Sequence, residues 1–357
     1  MDNLKNTARA LLQPLLAIIV GLIAGAIAIA VVGGSIFETY GEMWKGAFGS
    51  FYFFTNTLSR ATPIILIGLG VALAFRAGFF NMGSEGQMVL GALSAAVTAI
   101  YLPGPGWLKL IAALVAGIVA GGLWSALAGW LDAKFRMNLL ITTLLLNYVA
   151  VLFAGYIVSY PLKDKSGSAA MAQTVMIDKA AWLPKLFPGM SLHAGFILAA
   201  AGAILLALFM RHTVGGYEVR MLGGNPLFAG YGGVKRGQMM IYSMLASGGF
   251  AGLAGAGEVL GTQYRYLDNA LTAPSYAWSG IMATLLAGSN PLGTALAAIL
   301  LAALQTGGMG VERNTNVPLE VSSIIQAVLI LFISARFTYS YFKKKKKKAG
   351  ASNGPAV

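Results

Sequence analysis

The sequence contains no cysteine, two histidines and few charged side chains. Without cysteine, its 357 residues cannot form disulfides, thiolate nucleophiles, iron–sulfur clusters or cysteine-ligated zinc sites. His193 and His212 are too few for a histidine-rich metal site. Charged residues make up 10% of the chain, against about 25% in soluble domains. So little charge cannot cover a water-facing surface, and a soluble globular protein is excluded as well.

Apolar residues and glycine are abundant instead. Hydrophobic residues make up 57% of the chain, glycine contributes 46 residues, and the mean hydropathy is +0.72. A helix needs about 20 mostly apolar residues to cross the hydrocarbon core of a bilayer, where it satisfies its own backbone hydrogen bonds. The composition therefore predicts an all-α, polytopic transmembrane helix bundle.

The net charge of +13 comes from 25 basic and 12 acidic residues. Such an excess also occurs in nucleic-acid-binding proteins, but its distribution argues against one here. Lysines fill positions 343–348, and most other basic residues lie in short connections between apolar segments. Membrane topology and anionic lipids favour basic residues at such positions. We expect contact with membrane lipids and no nucleic-acid partner.

Ten apolar segments are candidate spans. They cover approximately residues 14–36, 54–76, 86–102, 107–131, 138–160, 191–210, 238–261, 275–289, 292–309 and 319–337. Only short Gly, Pro or Asn interruptions separate the second span from the third and the eighth from the ninth. About ten spans are predicted, or eight if some segments are re-entrant.

Loop charges predict the orientation. With a cytoplasmic N-terminus, most of the basic residues fall on the cytoplasmic side, and so does the C-terminus. This N-in/C-in arrangement makes residues 161–190 a long outer loop and residues 211–238 the longest cytoplasmic connection. We predict one transmembrane domain over residues 1–342 and a basic, disordered cytoplasmic tail at 343–357.

Small residues recur at four-residue spacing within the spans. The sets are Gly21 with Gly25, Gly117 with Gly121, and Gly248 with Gly252 and Ala256. Such spacing lets helix backbones approach closely in a membrane. It predicts tight packing of the bundle and says nothing about a substrate.

Residues 75–91, FRAGFFNMGSEGQMVLG, form the first segment that carries functional information. Polar groups interrupt an apolar stretch, and an ionisable group at membrane depth is costly unless it faces a bundle interior or water. One interpretation is a cytoplasmic turn in which Ser84 or Asn81 caps the next helix, with Glu85 in its first turn. The other is a discontinuous helix in which Asn81, Glu85 and Gln87 line or gate a polar pathway. The residues alone leave both open.

Residues 211–238 form the second such segment. Asn225 followed by Pro226 predicts a helix start, because an asparagine side chain caps the helix and proline suits its first position. The short helix then has an apolar face and a glycine-rich end, formed by Leu227, Phe228 and Tyr231 and by Gly230, Gly232 and Gly233. An apolar face on a cytoplasmic loop requires a partner surface or the lipid interface. A stub folded back against the membrane would explain it equally well.

Polar residues inside the predicted spans are candidates for a translocation pathway. They are Asn56, Arg60, Asn81, Glu85, Gln87, Asn147 and Glu258. Each also suits a hydrogen bond between helices, and Arg60 and Glu258 suit pairing with charges on neighbouring helices.

The chain lacks the motifs of an energy-converting enzyme. No phosphate-cradling G-x-x-x-x-G-K-S/T sequence and no nucleophile elbow G-x-S-x-G occurs, and no metal-ligand set is present. We therefore expect no catalytic residue, no metal and no cofactor of its own. Energy for transport has to come from another subunit or from an ion gradient.

Three stretches carry a family resemblance: AGFFNMGSEGQM, then GYEVRMLGGNPLFAGYGGV leading into SGGFAGLAGAGEVLG, then GIMATLLAGSNPLGTALAAILLAALQTGG. In this order, over roughly residues 58–335, the chain resembles permease subunits of bacterial ABC importers of the branched-chain amino acid, ribose and nucleoside permease family. The FNMGSEGQ segment and the length most resemble the larger permease of nucleoside importers.

The resemblance implies that the loop helix is a coupling helix that docks on the ATPase. The positions it assigns to this coupling are Arg220, Gly223, Asn225, Pro226, Leu227, Phe228, Tyr231 and Gly233. Met221 and Phe228 stand where the family usually has alanine, which implies bulkier packing against the ATPase.

The resemblance also implies the partners and the function. The chain would be the transmembrane subunit of an ATP-driven importer in the bacterial cytoplasmic membrane. A cytoplasmic ABC ATPase would use the ATP, an extracellular lipoprotein would deliver the solute, and a second permease, related or identical, would complete the pore. Nucleosides are the expected solute, and simple sugars such as ribose are the alternative. An ion-coupled secondary transporter, with Glu85 titrating, is the remaining reading, and transport without any ATPase would favour it.

Overall fold

A computed structural model describes residues 19–166, 172–315, 317, 320, 323–324 and 327–328 of the chain. Within these residues the protein consists of α-helices and connections, with two isolated antiparallel bridges and no strand. In chain order the helices are α1 Ile19–Val31, α2 Ile36–Phe48, α3 Phe51–Arg76, α4 Ser84–Tyr101, α5 Gly106–Phe135, α6 Leu139–Ser159, α7 Gly195–His212, α8 Val214–Gly224, α9 Pro226–Tyr231, α10 Arg236–Glu258, α11 Tyr276–Leu286 and α12 Pro291–Asn314. A π-helical turn, Val259–Gln263, continues α10.

Six of these helices are long and apolar enough to cross a membrane: α3, α5, α6, α7, α10 with its π-helical turn, and α12. α1 and α2 form a seventh candidate as a pair, with a bend of 120° between them. The predicted polytopic helical architecture is confirmed. The described residues do not confirm the count of about ten spans.

Several predicted spans differ from the helices in length or polarity. α4 has 18 residues, but Glu85 and Gln87 lower its hydropathy. α11 has 11 residues, about 16 Å of helix, which is half of a hydrocarbon core. α2, with 13 residues, is not predicted from the sequence at all. The predicted span 319–337 lies largely outside the described residues, and the tail 343–357 lies wholly outside them.

The chain divides into two compact units. The first contains residues up to Gly49 and from Leu304 onward. In it, α2 packs closely against the end of α12, because a Cβ at Gly46 would lie 2.9 Å from the Cα of Gly310. Its buried apolar core consists of Ile29, Met43, Val311 and Val317.

The second unit, Ser50–Ala303, contains the candidate site. α10 contacts α3, α4 and α5, and α3 also contacts α7, α8 and α11. The predicted glycine packing is confirmed between α5 and α10, where a Cβ at Gly121 would overlap Gly248 and one at Gly252 would overlap Gly117. These close approaches place the backbone of α10 in the middle of the unit.

The long connection between α6 and α7 covers the end of α10. Among its described residues the only helical piece is a 3-10 turn, Lys179–Ala181. Backbone hydrogen bonds attach it to the chain after α10: Leu183 donates to the Leu260 carbonyl at 2.9 Å, and Ile177 donates to the Tyr264 carbonyl at 2.9 Å. We call this end of the second unit the loop end, and the end that carries residues 77–83 and 213–235 the break end.

Candidate functional site

The predicted loop helix exists as α9, and its cap is the predicted one. The side-chain oxygen of Asn225 accepts hydrogen bonds from the backbone N–H groups of Leu227 and Phe228, both at 3.1 Å. Pro226 occupies the first turn. At the other end, Val234 N–H donates to the Ala229 carbonyl at 3.0 Å across Gly233, which has φ +85°. This glycine turn fixes where the helix stops.

α9 presents its large apolar side chains to the outside of the described chain. Leu227 is 79% exposed, Phe228 61% and Tyr231 92%, whereas Ala229 is fully buried on the inner side. These side chains form an exposed apolar surface that nothing in the described chain covers. We call Leu227, Phe228 and Tyr231 the α9 face.

α8 attaches this helix to the bundle. The Thr213 hydroxyl caps α8 by accepting from Gly216 N–H at 3.0 Å, and Val219 and Leu222 are buried on its inner side. Near its end, a Cβ at Gly223 would overlap the carbonyl oxygen of Arg76, the last residue of α3. The backbones of α8 and α3 therefore touch without an intervening side chain.

The α3–α4 break begins at this contact. Gly78 has φ +84°, Gly78 N–H donates to the Phe75 carbonyl at 3.0 Å, and Phe79 N–H donates to the Ala74 carbonyl at 2.9 Å. This pair of bonds is the glycine-dependent turn that ends many helices. Phe79 is then buried, so the break enters the interior of the unit.

Asn81 and Gln87 hold the two sides of the break together. Each amide donates to the other's side-chain oxygen at 3.0 Å, and both side chains are at most 1% exposed. Asn81 also donates to the Ser247 hydroxyl on α10 at 2.9 Å and accepts from Gly83 N–H at 2.9 Å. The break is a buried, hydrogen-bonded structure.

Asn147, on α6, joins the same cluster. Its side-chain oxygen accepts from Gly86 N–H at 2.8 Å, and its amide donates to the Met82 carbonyl at 2.9 Å. Thr143, one turn earlier, accepts from Met82 N–H at 3.3 Å. Asn147 therefore takes the capping role that the turn interpretation assigned to Ser84 or Asn81. We call Asn81, Gln87, Asn147, Ser247 and Thr143 the amide cluster.

Two serines and a glutamate beside the amide cluster keep unused hydrogen-bonding capacity. The Ser84 hydroxyl opens α4, and the Ser243 hydroxyl lies one turn before Ser247 on α10. Both are buried and have no hydrogen-bond partner among the described residues. Glu85 is half-buried, and its carboxylate forms no hydrogen bond or ion pair within the part of the chain that the structure describes.

Arg60 and Glu258 lie together at the loop end. Glu258 is 3% exposed and within electrostatic reach of Arg60 and of Lys185. The Arg60 guanidinium lies 5.9 Å from the centre of the Tyr276 ring at the start of α11. Glu258 and Arg60 therefore lie within electrostatic reach of each other, as the sequence suggested.

The long connection contributes residues that the sequence did not single out. The Lys185 ammonium donates to the carbonyls of Ser191 at 3.0 Å and Gly261 at 2.8 Å. The Ser191 hydroxyl in turn donates to Asn56 on α3. At the break end, the four-residue spacing of Ser243 and Ser247 could have indicated a polar face on α10. No comparable spacing in the sequence indicates the polar contacts at the loop end.

His193 is the anchor of this connection. Its ring is fully buried, and Nδ1 accepts from Gly195 N–H at 3.1 Å. A Cβ at Gly195 or Gly261 would lie 2.6 Å from the ring, so two glycines make its space. Burial, with a smaller contribution from Lys185, lowers the pKa of His193 to about 4. The imidazole is therefore neutral at neutral pH.

The predicted pathway residues thus separate into two groups. Asn81, Gln87 and Asn147 meet near the break end, with Glu85 beside them, while Arg60 and Glu258 meet at the loop end and Asn56 binds the long connection. No single site brings all seven together.

Comparison with known proteins identifies a family over most of the chain. Residues 53–334 match the family described as "Branched-chain amino acid transport system / permease component". The chain is 37% identical to the guanosine ABC transporter permease protein NupP of Bacillus subtilis, over 96% of this chain and 98% of that protein.

Two further relatives extend the comparison. The nucleoside ABC transporter permease protein NupB of Lactococcus lactis is 30% identical over 98% of this chain and 97% of its own length. A glucose ABC transporter permease protein of Haloferax volcanii is 34% identical over 93% of this chain and 88% of its own length. No solved structure matches the chain. With a family match over most of its length and relatives this similar end to end, the chain belongs to the branched-chain amino acid transport system permease family.

Proposed function

We propose that this chain is the membrane-spanning permease of an ATP-driven importer, and that its solute is a nucleoside. The observation that carries the nucleoside assignment is the near full-length similarity to permeases named for guanosine and for nucleosides. The glucose permease at 34% identity makes a simple sugar the second candidate. The membrane in question would be the bacterial cytoplasmic membrane.

The α9 face is the part of the molecule that supports an ATPase partner. Its three large side chains are exposed, its helix is capped at both ends, and α8 ties it to the end of α3. The chain carries no nucleotide-binding motif, so ATP would be hydrolysed by a separate subunit whose groove receives α9. Closure of that subunit would then move the helices between outward and inward access.

The charge distribution supports a cytoplasmic break end. Arg136, Arg211, Arg220 and Arg236 are exposed there, and short cytoplasmic connections are enriched in such residues. At the loop end, lysines stand beside acids, as at Lys163 and Asp164. The loop end would then be the outer surface, where a substrate-binding lipoprotein delivers the solute, and a second permease would complete the pore.

The docking of α9 is tested by substituting Leu227→Asp in a chain co-expressed with a cytoplasmic ABC ATPase that copurifies with the wild-type chain. A carboxylate in an apolar groove should abolish copurification of the ATPase while the chain still inserts. Met176→Asp is the matched control, because Met176 is a similarly exposed apolar residue at the loop end. Normal copurification with the Leu227→Asp chain would refute the assignment.

Uptake measurements on the reconstituted importer test the solute. Labelled guanosine should accumulate with ATP, unlabelled nucleosides should compete, and glucose and ribose should not. Competition by the sugars alone would establish the second candidate. Accumulation that needs an ion gradient and no ATPase would overturn the proposal altogether.

A further inference from the structure

The contact between Gly223 and the end of α3 is a place where motion of one segment must move the other. A Cβ at Gly223 would overlap the Arg76 carbonyl oxygen and lie 3.3 Å from the carbonyl carbon of Ala77. A Cβ at Gly78 would lie 3.5 Å from the Cα of Gly223. Two backbones in contact cannot adjust by rotating a side chain, so a displacement on one side passes to the other.

On the α8 side of this contact, α8 and α9 form one rigid piece. A single residue, Asn225, separates them, and it takes part in both: its N–H donates to the Met221 carbonyl at 3.0 Å, and its side chain caps α9. Ala229 of α9 is fully buried, and α8 packs against α9. A force on the α9 face therefore reaches Gly223 without a flexible joint between them.

On the α3 side of this contact, the turn at residues 76–78 is followed within a few residues by the amide cluster. Asn81 connects the break to α10 through Ser247, and Asn147 connects Met82 and Gly86 to α6. A shift of the turn must therefore strain or exchange these hydrogen bonds. The unpartnered hydroxyls of Ser84 and Ser243 are buried alternative partners for the displaced amides.

We infer that Gly223 and the turn at residues 76–78 carry the displacement of α9 into the α3–α4 break, and that the amide cluster is the latch that this displacement releases. Gly223 is on this view a positioning residue, since it touches neither nucleotide nor solute. The inference rests on the proposed docking of α9 on an ATPase, and it adds the route by which docking acts on the membrane part.

A pair of neighbouring glycines provides the test. Gly223→Ala places a methyl group against the Arg76 carbonyl, whereas Gly224→Ala meets open space. In the complex with the ATPase and reconstituted in liposomes, Gly224→Ala should transport within twofold of wild type. Gly223→Ala should retain the ATPase and hydrolyse ATP, but its solute uptake should fall at least tenfold. Unchanged uptake with Gly223→Ala would overturn the inference.

A second measurement does not depend on the stability of the Gly223→Ala chain. Because the sequence has no cysteine, Met82→Cys introduces a single thiol into the break. Trapping the complex with ATP and vanadate should change its labelling rate by a maleimide at least threefold. An unchanged rate would show that the break does not respond, and the inference would be wrong. If the wild-type chain failed to copurify with the ATPase at all, the proposed function would fail instead.

Discussion

The two ends of the second unit are held together by different chemistry. At the break end, neutral amides form a reciprocal hydrogen-bond network, and the hydroxyls of Ser84 and Ser243 lie beside it without partners. At the loop end, Glu258 lies within electrostatic reach of Arg60 and Lys185, and Lys185 also lies within electrostatic reach of the buried His193. Both regions interrupt apolar helices, so both have to satisfy polar groups away from water.

The difference suggests that the two ends have different mechanical roles. Hydrogen bonds between neutral groups are directional and individually modest, so a network of them can exchange partners at low cost. Buried charges lose much more when one partner leaves. The break end is thus suited to movement, and the loop end to fixing the long connection over α10.

The largest effect is expected from removing one charge at the loop end. Arg60→Ala would remove a cation within electrostatic reach of the buried Glu258, and breaking a fully buried ion pair, at about 3–5 kcal/mol, sets the upper bound on the loss. We expect a large fall in the thermal midpoint of the detergent-solubilised protein, measured by fluorescence-detected size exclusion. Lys163→Ala, an exposed cation at the same end, should change it little.

The double variant Arg60→Ala/Glu258→Gln separates charge pairing from packing. Replacing the carboxylate by a neutral amide removes the unpaired charge, so the double variant should regain most of the lost midpoint. If the double variant is as unstable as Arg60→Ala, the stabilisation comes from packing of the arginine, and the contrast between the two ends is wrong.

A smaller effect for each lost partner is expected at the break end. Asn147→Leu leaves the Gly86 N–H and the Met82 carbonyl without partners, at about 1–3 kcal/mol for each neutral group. Asn147→Asp keeps an acceptor for the Gly86 N–H, so its thermal midpoint should lie between those of Asn147→Leu and wild type. The neighbouring Tyr148 is 69% exposed, so Tyr148→Leu is the control and should be close to neutral. Equal midpoints for Asn147→Leu and the control would contradict the role of the amide cluster.

Local rules predicted the break end well. The Asn225–Pro226 start and the glycine end of α9 follow from capping and backbone freedom, which depend on neighbouring residues alone. Close packing of α5 on α10 followed from glycine spacing. The sequence also marked Asn81, Gln87 and Asn147 as polar residues inside spans. It could not show that Asn147, 61 residues away from Gly86, caps α4, because that pairing is set by tertiary packing.

The loop end and the number of spans were harder to predict from the sequence. α2 and α11 are too short for a rule that counts about 20 apolar residues, and α4 carries polar residues that only its buried position explains. The sequence placed Lys185 in the outer loop and His193 at the start of the predicted span 191–210. The burial of His193 and the hydrogen bonds of Lys185 depend on a connection folding back over α10, and no periodicity in the sequence indicates such a fold.

The smallest effect, and the one that distinguishes the two ends most cleanly, is expected from pH. His193 has a pKa of about 4 in the folded protein against an ordinary value of 6.5, so only the opened state takes up a proton between these values. The free energy for opening the long connection is therefore at its full value above pH 6.5. It falls by about 1.4 kcal/mol for each pH unit as the pH drops toward 4.

Hydrogen exchange, corrected for its intrinsic pH dependence, should show residues 172–194 opening more often at pH 5 than at pH 7. Residues 77–83, held by amides that do not titrate, should not change. His193→Gln should remove the response, and His212→Gln, which alters the exposed histidine, should keep it. An equal increase in opening of both segments would mean that acid destabilises the whole unit. The two ends would then open together, and the contrast between them would be wrong.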